Sequence, residues 1–142
     1  MLITPADHWF SLCVRTRANW TCEHCGKQYP EGAQGFHCHH YYGRGKYWSV
    51  RFEPLNCVAI CFFCHNLFHE NPDHQREWQE KRLGAVKYEI LKEKAYNLTL
   101  AKEIKRTKGK GEIASHFKAE YERLLQLRSS GVTGRIEFDG WL

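Results

Sequence analysis

Two Cys-x-x-Cys pairs, Cys22/Cys25 and Cys61/Cys64, stand 35 residues apart in a chain of 142. A CxxC turn presents two thiolates to one side of a tetrahedral cation, and a second such turn completes a four-cysteine set suited to Zn²⁺. Gly26, directly after the first pair, supplies the backbone freedom the turn needs. The metal would then close residues 26–60 into a loop and force both ends of that segment together. Four protein ligands leave no open position, so this zinc is expected to be structural. The alternative is four ordinary buried or redox thiols, which two matched pairs in one small chain argue against. Cys13, Cys38 and Cys57 are left over and are expected to be small apolar core residues. Seven cysteines is an odd number, and the opening MLITPADHWF has neither a basic stretch nor a long apolar one. Together these point to a reducing compartment, the cytoplasm, rather than to a secreted disulfide framework. No apolar run approaches the roughly 18 residues of a membrane span.

The chemistry is unevenly distributed. Residues 1–71 hold all seven cysteines and seven of the nine histidines, with six basic and five acidic residues. Residues 72–142 hold 15 basic and 11 acidic residues and no cysteine. The chain therefore reads as α+β, with a site-bearing core over 1–72 and a helical extension over 73–142 that packs on the core or dimerises. Thr4-Pro5 starts a helix carrying Trp9, Leu12 and Cys13 at helical spacing. Residues 36–40 (FHCHH) read as a short strand with Phe36, Cys38 and His40 on one face and His37 and His39 on the other. Residues 41–54 form a Gly/Arg/aromatic loop ending at Pro54, and 55–60 read as a second strand. Cys61 to His69 is a turn running into a helix that Asn71-Pro72 stops. A helical stretch over 73–96 is interrupted near Gly84. Another over 112–128 carries Ile113, Phe117, Tyr121, Leu124 and Leu125 as one stripe. Residues 105–111 are the expected hinge between them.

Five further residues carry chemistry. His65 and His69 are i and i+4 on one helix and share a face. If His39 meets them, three protein ligands hold a divalent cation and leave positions open for water and a phosphate oxygen, as a catalytic metal requires. His40 can serve as general base, since a neutral imidazole is poised near neutral pH. Asn56 can hydrogen-bond backbone across the loop and fix its shape.

His39-His40, Asn56, His65 and His69, at these spacings, resemble the HNH or ββα-metal endonuclease family, with spacing close to the DNase colicins and CxxC pairs like the zinc-bound subfamily. The resemblance implies a small ββα-metal, treble-clef-like core. It implies that His39, His65 and His69 bind one divalent metal such as Mg²⁺ or Mn²⁺, that His40 activates water, and that Asn56 organises the loop. Many members have Asp where this chain has His39, a softer ligand that also suits Ni²⁺ or Zn²⁺. His40-Tyr41, Arg44, the run from Ser49 to Asn56 and Cys61-x2-Cys64 are similar to the phage NinG/Rap recombination nucleases, over about residues 20–72. That implies branched-DNA processing, products with 5′-phosphate and 3′-hydroxyl ends, and a host-cell cytoplasm. His65 stands where that narrower pattern often has Asn, which brings this chain nearer the general HNH site. Homing or restriction-associated HNH nucleases are a second enzyme reading. The non-enzymatic reading is a zinc-dependent nucleic-acid-binding module whose histidines are spectators. His8, His24, His37, His74 and His116 receive no role.

A phosphodiester cutter must hold phosphates. The net charge of +5 is compatible with DNA, and Arg44, Lys46 and Arg51, interleaved with Tyr42, Tyr47 and Trp48, are the expected contacts. Packing of Tyr47, Trp48 and Phe52 onto the core, and pairing of Arg51 with a carboxylate, is the structural alternative. Lys102, Lys105, Arg106, Lys108 and Lys110 form a second basic segment, by default a solvated face. Nothing resembles a base-reading code, so weak sequence specificity is expected. The stripe on the last helix closes the chain's own core or makes a homodimer.

Overall fold

A computed structural model describes residues 3–107 and 111–141. Helix α1 spans Pro5–Arg17. Its start is a capping box. The Thr4 hydroxyl accepts from the Asp7 amide, while the Asp7 carboxylate accepts from the Thr4 amide at 2.9 Å. After it, Asn19 and Trp20 take positive φ, and Gly26 at φ 79° turns the first CxxC loop back. That loop is closed by the Cys22 amide on the Lys27 carbonyl and the Gly26 amide on the Cys22 carbonyl, at 2.8 and 2.9 Å.

Strand β1 (Phe36–His40) pairs antiparallel with β2 (Cys57–Cys61), with His40 opposite Cys57 and Phe36 opposite Cys61. The second strand starts later than the sequence suggests. Pro54–Asn56 is a 3-10 turn, held by the Glu53 carboxylate accepting from the Leu55 amide at 3.0 Å. Proline lacks an amide proton and fixes φ, so the ladder begins only beyond the turn. Every residue of β2 is buried. The alternation expected for β1 holds. His40 faces α1, where its ring lies 6.0 Å from Phe10, Phe36 on the same face meets Trp20 and Tyr29, and His37 and His39 face α2 (Phe62–Glu70).

Asn71 ends α2 and caps α3 (Pro72–Leu83), its side-chain oxygen accepting from the His74 amide at 3.2 Å. Gly84, at φ 80°, separates α3 from α4 (Ala85–Ala95). Helix α5 (Leu98–Thr107) covers a stretch where the sequence suggests a solvated basic helix face or loop running into the hinge. The Asn97 side chain accepts from the Leu100 amide at 3.0 Å, and only Ile104 is buried. Leu100, Ala101 and Ile104 recur at helical spacing opposite Lys102, Lys105 and Arg106, and Leu100 and Ile104 pack in or against the core, so the periodic signal is present but short and flanked by a run of cations. Lys108 and Lys110 lie outside the described residues.

Helix α6 (Glu112–Ser129) packs on α1. Its stripe is used inside the chain: Ile113, Phe117 and Leu124 are fully buried, and Phe117 stacks edge-on against Phe10 at 4.9 Å. Phe138 of the C-terminal tail joins them, 5.9 Å from Phe10. One buried cluster thus draws on both halves of the chain, with Ile104, Ile113, Phe117, Leu124 and Phe138 packed among the residues of α1 and β2. A second, smaller cluster of Val50, Leu91 and Ala95 seats the loop after β1 on α4. Among the described residues no helix is long and apolar enough to cross a membrane.

Candidate functional site

The Sγ atoms of Cys22, Cys25, Cys61 and Cys64 all lie within 4.8 Å of one another. The turn after α1 supplies the first two. The end of β2 and the first turn of α2 supply the others. Tetrahedral Zn–S bonds of about 2.3 Å place sulfurs about 3.8 Å apart, and Cys25 and Cys61 stand at 3.9 Å. The Cys25 and Cys61 amides both point at the Cys22 sulfur, at 3.4 Å. Burial raises the Cys61 thiol, but amide and side-chain hydrogen bonds outweigh that and bring it down to about 7. Donor type, spacing and amide donors all fit a tetrahedral metal site compatible with structural zinc.

Two histidines beside this cluster carry a role that the sequence reading missed. His24 Nδ1 is 3.2 Å from the Cys64 sulfur, and His24 Nε2 is 2.9 Å from His74 Nε2. An imidazole that donates to a ligating sulfur orients it and disperses its charge. The signal was the position of His24 inside the first CxxC turn.

The predicted histidine ligands come together around α2. The His65 and His69 rings are 4.6 Å apart with their Nε2 atoms at 3.1 Å, and His39 lies 5.1 Å from His65 and 6.1 Å from His69. His37, unassigned from sequence, stands 4.9 Å from His65. Gln75 on α3, also missed, takes a short hydrogen bond from His39 Nε2 through its amide oxygen. The three histidines are less tightly gathered than the thiols. Among the described residues, only the four-cysteine set and a Cys38/His40/Cys57 set have all their ligand atoms within 4.8 Å.

His40 ends β1, with its Nε2 2.9 Å from the Arg51 carbonyl. A carbonyl only accepts, so Nε2 carries the proton and Nδ1 keeps its lone pair. Beside it is a cleft of about 430 Å³, lined also by His37, His65, Arg15 and Arg44. Asn56 is fully buried. Its side-chain oxygen accepts from the Tyr42 amide at 2.8 Å, and its nitrogen donates to the Tyr42 and Val50 carbonyls at 3.0 and 3.1 Å. These three bonds draw both ends of the 42–50 loop onto the start of β2.

The expected DNA contacts divide. Arg44 lines the cleft beside His40. Lys46 is exposed, with its ammonium 5.3 Å from the Tyr47 ring centre. Arg51 is a correction: it is only 2% exposed, bonds both Asp7 carboxylate oxygens at 2.9 and 2.6 Å, and stacks on Trp48 at 4.0 Å. A guanidinium so enclosed has no face for a phosphate. Tyr42 and Tyr47 pack on each other at 5.1 Å and against Tyr96, so this loop's aromatics serve packing.

Burial pushes the Asp7 carboxyl up, but hydrogen bonds from Arg51 and Thr4 outweigh it and hold the carboxyl below its ordinary 3.8. Arg51→Met is therefore expected to cost about 3–5 kcal/mol, because it strands a buried carboxylate. Urea unfolding measures this, and pairing the change with Asp7→Asn should recover part of the loss. A variant as stable as the wild type would contradict the assignment.

Burial also pulls the imidazoles of His39, His40 and His65 down to about 4. Between the ordinary 6.5 and about 4, the unfolded chain binds more protons than the folded one. Without added divalent ions, the stability these three rings contribute is full above 6.5 and falls as pH drops through that window. Urea midpoints at about pH 5 should lie below those at about pH 7. Equal midpoints would show that the three rings are not held neutral.

No protein-family model, curated protein or solved structure matches the chain.

Proposed function

We propose that the chain is a metal-dependent DNA endonuclease of the HNH type, carrying a structural zinc on Cys22, Cys25, Cys61 and Cys64. The observation that carries this reading is the state of His40. Its proton is held at Nε2 by a backbone carbonyl, its Nδ1 lone pair is free, and it borders a cleft shared with Arg44 and His65. A general base needs that arrangement. The antiparallel hairpin followed directly by α2, with His40 ending one strand and His65 and His69 on the helix, also supports it.

His39, His65 and His69 would hold a divalent cation such as Mg²⁺ or Mn²⁺. The 3.1 Å between the His65 and His69 nitrogens is close to the separation of two nitrogens sharing one cation, about 3.3 Å. Gln75 accepting from His39 Nε2 is the carbonyl partner that a ligating imidazole usually has, and it leaves Nδ1 as the ligand. A cation held there would supply Lewis-acid stabilisation to the scissile phosphate. His40 Nδ1 would take a proton from water, the resulting hydroxide forms the new P–O bond, and the bond to the 3′ oxygen breaks with its electron pair, that oxygen then taking a proton from solvent to give the 3′-hydroxyl. Arg44 pairs with a phosphate oxygen in the cleft. Asn56 keeps the Arg44 loop and the Arg51 carbonyl where His40 needs them.

Supercoiled plasmid incubated with the purified chain should be nicked in the presence of Mg²⁺ or Mn²⁺ and left intact in EDTA. A panel of linear, nicked, flapped and four-way DNA tests the branched-DNA role that the likeness to phage recombination nucleases suggests. A protein that shifts DNA in a gel and cuts nothing with any divalent ion would be a zinc-dependent binding module instead.

A further inference from the structure

The leftover thiols are not scattered through the core. The Cys38 and Cys57 sulfurs and a ring nitrogen of His40 all lie within 4.8 Å of one another. Strand register explains this. His40 sits opposite Cys57, and Cys38, two residues earlier, shares the same face of the hairpin. We propose that Cys38, His40 and Cys57 form a second metal site, separate from the four-cysteine cluster, that takes a thiophilic cation such as Cd²⁺, Cu⁺ or excess Zn²⁺.

Two sulfurs and an imidazole are a soft donor set, which excludes Mg²⁺ and Ca²⁺ as occupants. The site has a closed end and an open one. Cys57 has no exposure, while Cys38 is half-buried and lines the same cleft as His40, so a cation enters from the cleft. Since Nε2 of His40 is committed to the Arg51 carbonyl, Nδ1 is the nitrogen left to ligate. Binding forms two S–metal bonds and one N–metal bond, and releases the two thiol protons to solvent. No electron moves. Displacing a proton from a wholly buried thiol requires a cation of high sulfur affinity, which again selects soft ions. Three protein donors leave a fourth position facing the cleft.

The consequence for activity rests on the nuclease reading. The nitrogen that binds the soft cation is the one that must accept the proton from water. Occupancy and catalysis are therefore mutually exclusive, and a trace thiophilic metal acts as an inhibitor on the base itself.

The test titrates the zinc-loaded full chain with Cd²⁺ under a thiol-free reductant. It follows the ultraviolet thiolate-to-cadmium absorption and the zinc released. One added Cd²⁺ per chain with thiolate absorption, and with the original zinc retained, supports the site. Binding at the α2 histidines adds no thiolate band. Loss of that band in Cys38→Ala or Cys57→Ala, in whichever variant keeps its zinc, supports it further. In the wild type, Cd²⁺ should also protect Cys38 from alkylation, read by mass spectrometry without any substitution. Thiolate absorption fully accounted for by displaced zinc, or Cys38 alkylated equally with and without Cd²⁺, overturns the proposal. In cleavage assays, saturating Cd²⁺ should slow the wild type about 100-fold, the lower range of what a general base contributes. Each protein is compared with its own cadmium-free rate, and Cys38→Ala should lose most of that sensitivity. A wild type that cuts no DNA at all overturns the nuclease reading, while the absorption and alkylation arms still decide the metal site.

Discussion

Substituting His40 by alanine is expected to reduce plasmid cleavage by about 100- to 10,000-fold, the usual contribution of a positioned general base, with DNA binding and zinc content unchanged. The geometry separates these outcomes. His40 is the last residue of β1, and its one side-chain hydrogen bond goes to the Arg51 carbonyl at 2.9 Å. Losing that donor leaves the Arg51 carbonyl unpaired and costs about 1–3 kcal/mol, less than the roughly 5–15 kcal/mol that holds a domain folded. The zinc-binding cysteines and the Arg44 loop keep their own supports, since Asn56 rather than His40 clamps residues 42–50. Gel shifts, elemental analysis and a time course of nicking read the three quantities separately. Retained cleavage would show that another group activates the water. Lost DNA binding would make His40 a structural residue of the cleft.

Breaking the four-cysteine cluster should have the larger structural effect. Structural zinc contributes apparent binding energies of about 10–16 kcal/mol, which is folding energy when the site does not exist in the unfolded chain. Cys61 joins β2 to α2, so Cys61→Ser removes the clasp between hairpin and helix. A sheet of only two strands is marginal by itself. The expected result is a variant without zinc that has lost cooperative unfolding, while the wild type keeps about one zinc per chain through mild EDTA treatment. A wild type that holds no zinc and remains folded would sink the metal assignment.

Much of this was legible along the chain because it depends on short-range rules. The Thr4-Pro5 start, the Asn71-Pro72 stop and the Gly84 break all follow from backbone chemistry within a few residues. The alternation over 36–40 follows from the strand period of two, and it correctly divided His39 from His40. The CxxC spacing likewise identified which four sulfurs would gather.

Other features depended on distance in sequence. Arg51 reads along the chain as a phosphate contact or as the partner of some carboxylate, and it is buried because Asp7, 44 residues away in the α1 capping box, presents that carboxylate to it. Gln75 and His74 gain their places only when α3 folds back beside the histidines and the thiols. The α6 stripe was equally compatible with a dimer, and it is the stacking of Phe10, Phe117 and Phe138 that keeps it within one chain. Cys38 and Cys57 were bland core candidates until strand register set them beside His40. Local sequence determined which groups exist and which way each element faces them. Only tertiary packing decided which charges are neutralised, which thiols meet and which histidine keeps a free nitrogen, because burial and partner choice belong to contacts between residues far apart in the chain.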